Sequence, residues 1–119
     1  MIIDENEIRE KLTLTDDQLF EEVGLALSRG AILGDPRQKG AKFYARICND
    51  LQGTRSNFCS NAKVKSCFEK NDDRIALVAA IIDVLTENNA HLGITGSLAT
   101  VAVLILRTGV GELCKQHWS

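Results

Sequence analysis

Two stretches of this sequence, residues 74–87 and 97–107, carry apolar side chains at most positions and leave almost no polar face. Neither shows the alternation of polar and apolar residues that is typical of a half-buried strand, and both have the length of a helix. A helix that is apolar on all sides must be covered on several sides by other elements. The two stretches therefore predict an all-α fold with these two helices at its centre.

Capping signals predict where the surrounding helices begin. Thr15 and Gln18 have the spacing of a capping box. Asp35 and Pro36 suit the cap and the first position of another helix, which should end before a turn over residues 52–57. We therefore predict a compact bundle of about five or six helices, in one domain over residues 1–119. Its acidic segment 1–14 is short enough to pack loosely.

The charges of the 119 residues sum to only −2, but they are distributed unevenly. Residues 1–36 have a net charge of −6, and residues 37–74 have a net charge of +5. The low overall charge disfavours a protein that binds a polyanion through its whole surface. The acidic and basic segments are expected to face each other within one fold or across a dimer, with a local anion-binding role for the basic segment as the alternative.

The four cysteines are too few for a disulfide-dense secreted scaffold, and they form no close pair. They predict reduced thiols and a cytoplasmic location. The N-terminal residues do not resemble a secretory signal, which agrees with that location. The stretch 88–106 contains too many polar residues for a membrane span, so we expect no membrane association.

Candidate chemical sites are weak in this sequence. Cys114 and His117 have helical ligand spacing and could join Cys59 and Cys67 around zinc, but buried thiols are the favoured interpretation, so no metal is predicted. His91 and His117 lie in no nucleophile motif. The glycine-containing segment 93–97 lacks the Lys and the preceding strand of a phosphate-binding loop. We therefore predict neither a cofactor nor an enzyme.

The remaining signal favours a non-enzymatic helical module for protein–protein interaction or oligomerisation, such as an adaptor or a regulatory component. The shorter amphipathic helices cannot easily enclose the two apolar ones, so an uncovered apolar stripe would contact a second copy or a protein partner. A homo-oligomer is the favoured form, with a compact monomer as the alternative. The predicted contact residues are Leu98, Val101, Ile105 and Trp118.

The alternative function is a regulator that binds nucleic acid. Residues 37–46 contain a basic stripe, in which three of the four side chains have helical spacing. A stripe of this kind can contact phosphate groups. The acidic first third of the chain and the lack of a recognisable recognition helix weigh against this function. Its predicted anion contacts are Arg37, Lys39, Lys42 and Arg46.

Overall fold

The computed structural model describes residues 5–28, 34–52, 58–69 and 73–115, apart from the side chains of Ser28 and His91. These ranges contain only helices as regular secondary structure, which confirms the all-α prediction. The helices are α1 (Glu5–Leu12), α2 (Asp16–Ser28), α3 (Pro36–Gln52), α4 (Ala62–Glu69), α5 (Arg74–Leu92), α6 (Leu98–Thr108) and α7 (Val110–Leu113). The described ranges thus hold seven helices rather than five or six, because Gly109 with a positive φ separates the single turn α7 from α6.

The predicted caps form where the sequence placed them. The amide of Gln18 donates to the Thr15 hydroxyl, and the Gln18 side-chain oxygen accepts from the Thr15 amide, which completes the capping box. Asp35 accepts from the amide of Arg37, and α3 begins at Pro36. The predicted turn after α3 lies mostly in residues 53–57, outside the described residues.

The core lies around α6. All residues from Ala99 to Ile105 are buried, and α6 contacts α1, α2, α5 and α7. α5 packs on α6 and buries most of its own apolar side chains, including Val78, Ile81 and Leu85. Burial of this kind, at roughly 1.5–3 kcal/mol for each large apolar side chain, is the main source of stability in such a bundle.

Helix α1 is attached to this core. Ile8 is fully buried, and the Lys11 ammonium lies 2.8 Å from a carboxylate oxygen of Glu22 in α2. At the end of α1, the carbonyl oxygen of Leu12 accepts a hydrogen bond of 3.0 Å from Arg107. Residues 5–14, which belong to the segment predicted to pack loosely, contact α5 and α6 and form an ion pair with α2.

The cysteine prediction is wrong for one pair. Cys59 and Cys114 form a disulfide that joins the turn before α4 to the end of α7, across 55 residues of sequence. Cys48 and Cys67 are free thiols, each partly buried. The pairing depends on how the helices bring distant positions together, so the spacing of the cysteines in the sequence does not predict it. The cytoplasmic location, which was inferred partly from reduced thiols, stays a prediction.

No helix in the described part of the chain combines the length and the apolar character that crossing a bilayer requires.

Candidate interaction surface

Two of the four predicted contact residues lie inside the fold. Val101 is 1% exposed and Ile105 is fully buried, because α1, α2, α5 and α7 pack against α6. Neither side chain is therefore accessible to a partner in this structure. Leu98 is only partly buried. Trp118 lies outside the described residues.

An apolar groove of about 210 Å³ lies at another place, where the end of α4 meets the start of α5 and the junction of α6 and α7. Below, we call it the α4–α7 groove. Aliphatic side chains, one aromatic ring, one thiol and one guanidinium form its walls. They belong to Cys67, Phe68, Arg74, Leu77, Leu106, Gly109 and Val110.

A helix cap, an ion pair and a disulfide hold α4 in position beside the groove. Asn61 caps the helix by accepting from the amide of Val64, whose side chain is fully buried. Lys63 donates to Asp83 of α5 at 2.9 Å, and this contact raises the pKa of the Lys63 ammonium. The Cys59–Cys114 disulfide fixes the segment before α4 to the end of α7. Both edges of the groove are therefore anchored.

Phe68 is the most prominent side chain of the groove, with 40% of its surface exposed. Its ring packs against Gly111 so closely that a Cβ at position 111 would lie 2.8 Å from the ring Cζ. The absence of a side chain at Gly111 therefore lets the tip of the ring approach the start of α7 closely. The spacing of Val64, Cys67 and Phe68 predicts an apolar helix face, but it cannot show that Phe68 stays exposed.

The chemical character of the groove suits recognition of an apolar group. Leu77 and Val110 are buried at its base, Leu106 is partly buried, and the exposed Arg74 supplies a positive charge at its wall. Within the described ranges, no group of three or more His, Cys, Asp or Glu side chains could hold a metal ion. The candidate zinc ligands from the sequence do not form a site in the described residues. Cys59 and Cys114 are bonded to each other, and His117 lies outside the described residues.

The predicted basic stripe lies on α3, and its two arginines make defined contacts within the protein. Arg37 forms ion pairs with Asp17 and Asp35, at 3.4 and 3.6 Å. Arg46 donates to the carbonyl oxygen of Leu92 at 2.6 Å and stacks on Phe43. Of the other two, Lys42 is exposed and Lys39 is partly buried. Nucleic-acid binding through this stripe stays a prediction.

A partly buried polar cluster connects α3 to the end of α6. The phenol oxygen of Tyr44 forms a short hydrogen bond with the hydroxyl oxygen of Thr108. Burial raises the pKa of Tyr44, and burial likewise raises the pKa of the Cys48 thiol, which lies beside that phenol. Both groups are therefore held in their neutral forms and serve as packing and hydrogen-bonding elements.

No protein-family model matches this chain, and no curated protein sequence or solved structure matches it either.

Proposed function

We propose that this chain is a non-enzymatic helical interaction module, an adaptor or regulatory component that associates through the α4–α7 groove. The observation that supports this proposal most directly is the exposure of Phe68 beside an apolar groove. Large aromatic side chains next to concave apolar surface are typical of the positions that contribute most to protein association. This surface replaces Val101 and Ile105 as the proposed contact.

A second copy of the chain is the partner that best suits this groove. In a two-fold dimer, the same surface of each subunit faces the other. The Phe68 ring of one copy can then enter the groove of the second copy, and the reverse contact forms at the same time. Arg74 lines the groove and the exposed Glu69 follows Phe68, so both signs of charge are present near the contact. A dimer through this groove can therefore place Arg74 of one copy near Glu69 of the other and avoid contacts between like charges.

Light scattering over a dilution series, at low and at physiological salt, tests this proposal. We expect the unmodified protein to form a dimer whose stability changes little with salt, because apolar burial drives the association. Phe68→Asp should give a monomer with unchanged helicity by circular dichroism, because the substituted side chain lies at the surface.

Leu25→Asp is the matched control for this experiment. Leu25 lies on α2 and has the same exposed fraction as Phe68, 40%, but it does not line the groove. The control should dimerise like the unmodified protein. A monomeric unmodified protein at the highest concentration, or equal loss of the dimer in both variants, would contradict self-association through the groove.

A further inference from the structure

A cavity of about 130 Å³ lies between α2, α3 and the first turn of α6. None of its lining residues belongs to the α4–α7 groove. Most of its wall is apolar, with one carboxylate and a few hydroxyl groups at its edge. The wall includes Glu22, Val23, Ala26, Phe43, Ile94 and Val101.

Hydrogen bonds hold the walls of this cavity in place. The side chain of Asn89 donates to the carbonyl oxygen of Ile94 and accepts from its amide, at 3.2 and 2.8 Å. Arg46 supports the part of the wall formed by Phe43, because its guanidinium lies 4.7 Å from the centre of that ring while it donates to the carbonyl oxygen of Leu92. The cavity is therefore formed before any ligand arrives, as is usual for small-molecule sites.

The carboxylate of Glu22 determines the charge that the cavity accepts. Its Oε1 atom accepts hydrogen bonds from the Lys11 ammonium at 2.8 Å and from the Thr100 hydroxyl at 2.9 Å. An ionised carboxylate offers about four lone-pair positions, so acceptor capacity remains. Lys11 already balances the charge of this group, so neither an anion nor a cation would regain the hydration that it loses on entering the apolar cavity. A neutral hydrogen-bond donor fits these conditions.

We propose that this cavity binds a neutral molecule about the size of benzene that carries one hydroxyl group and donates it to Glu22. The size follows from the volume, because an apolar protein cavity of about 150 Å³ holds benzene. The ring or aliphatic body of the ligand lies among Val23, Ala26 and Val101, and its hydroxyl points to the carboxylate. Small phenols and compact alcohols belong to this class.

Titration of the full chain with phenol, followed by methyl resonances in nuclear magnetic resonance spectra, tests the proposal. We expect saturable shifts at Val23, Ile94 and Val101. Benzene should bind about ten- to a hundredfold more weakly than phenol, the equivalent of one hydrogen bond to a charged acceptor. Benzoate should leave these resonances unchanged. Absence of saturation with phenol, shifts confined to other residues, or equal binding of phenol and benzoate would overturn the proposal.

Two variants locate the binding in the cavity. Ala26→Leu fills the space and should abolish the phenol shifts, whereas Ala76→Leu, at an exposed position of α5, should leave them unchanged. Glu22→Gln should reduce the difference between phenol and benzene. Phenol binding to folded Ala26→Leu with unchanged affinity would overturn the assignment. If Ala26→Leu does not fold, the locations of the shifts in the unmodified protein decide the matter.

Discussion

The backbone nitrogen of Gly24 in α2 lies 3.0 Å from the position that a Cβ atom on Gly40 of α3 would occupy. The same added Cβ would overlap the carbonyl oxygen of Phe20, and a Cβ on Gly24 would overlap the carbonyl oxygen of Pro36. The backbones of α2 and α3 therefore touch directly. Side chains at either glycine position would force the two helices apart.

This contact predicts that Gly24→Ala and Gly40→Ala each destabilise the protein. In an exposed helix the same substitution stabilises by roughly 0.5–1 kcal/mol, because alanine loses less backbone entropy. Here the overlap is with backbone atoms that cannot rotate away, so we expect a loss of about 1–3 kcal/mol in the free energy of unfolding. Urea denaturation followed by circular dichroism measures it.

The exposed position Ala45 on α3 supplies the calibration for that experiment. Ala45→Gly should cost about 0.5–1 kcal/mol, which is the intrinsic helix preference of alanine over glycine. Stabilisation by Gly24→Ala of that same size would show that α2 and α3 do not touch at these glycines.

The helices and their starts could be predicted from the sequence because their causes are local. The Thr15–Gln18 capping box and the Asp35 cap each involve residues within three positions of each other. The close approach at Gly24 and Gly40 has no such local signal, because it depends on how two helices meet. A glycine inside a predicted helix does not by itself indicate such a contact, because helices also tolerate glycine where no other backbone is near.

The disulfide predicts a large and specific effect of cysteine substitution. In the chain-entropy account, a crosslink across 55 residues restricts the unfolded chain and contributes about 4 kcal/mol. The double variant Cys59→Ala with Cys114→Ala should lose about 2–5 kcal/mol in the free energy of unfolding. Cys67→Ala is the matched control, because its thiol is free, and it should lose clearly less.

Thiol alkylation with mass analysis provides a second readout of the same pairing. The protein unfolded without reductant should take up alkylating reagent at two of its four cysteines, Cys48 and Cys67. After reduction, all four should react. Four reactive thiols in the unreduced protein would contradict the disulfide and restore the original prediction of reduced cysteines.

The candidate surface could be predicted only in part, and the reason is physical. Apolar periodicity shows that Phe68 and Ile105 belong to apolar helix faces, but not which of those faces another helix covers. α6 is covered by α1, α2, α5 and α7, so its apolar residues became core. Phe68 lies in the last turn of the short helix α4, where neighbouring helices cover it only partly, so 40% of its surface stays exposed.

The attachment of α1 to the bundle depends on Arg107. Its guanidinium donates to the carbonyl oxygen of Leu12 and to Asp16, at 3.0 and 2.9 Å. Arg107→Gln should therefore cost about 1–2 kcal/mol and should speed amide hydrogen exchange in α1 more than in α5. Arg37→Gln is the control, because its ion pairs lie at the exposed surface, and it should change stability by less than about 0.5 kcal/mol. Equal exchange rates in α1 of both variants would contradict this role.

The final prediction concerns Tyr44, which is the single tyrosine of the chain, so tyrosinate absorbance reports it alone. Burial raises its pKa above the ordinary value of 10.0 in the folded protein. The unfolded chain therefore releases the phenol proton first as pH rises. Stability contributed by the neutral phenol is complete below about pH 10 and is lost above it, because ionisation favours the unfolded state.

Tyr44→Phe separates this effect from general alkaline unfolding. At neutral pH the variant should lose about 0.5–1.5 kcal/mol, because the hydrogen bond to Thr108 is missing. Above pH 10 its free energy of unfolding should fall less steeply than that of the unmodified protein, because the proton linkage of the phenol is gone. In the unmodified protein, tyrosinate absorbance should rise only as helicity is lost. Ionisation of Tyr44 with an ordinary midpoint, while circular dichroism still shows the native helices, would mean that the phenol is open to water and does not connect α3 to α6.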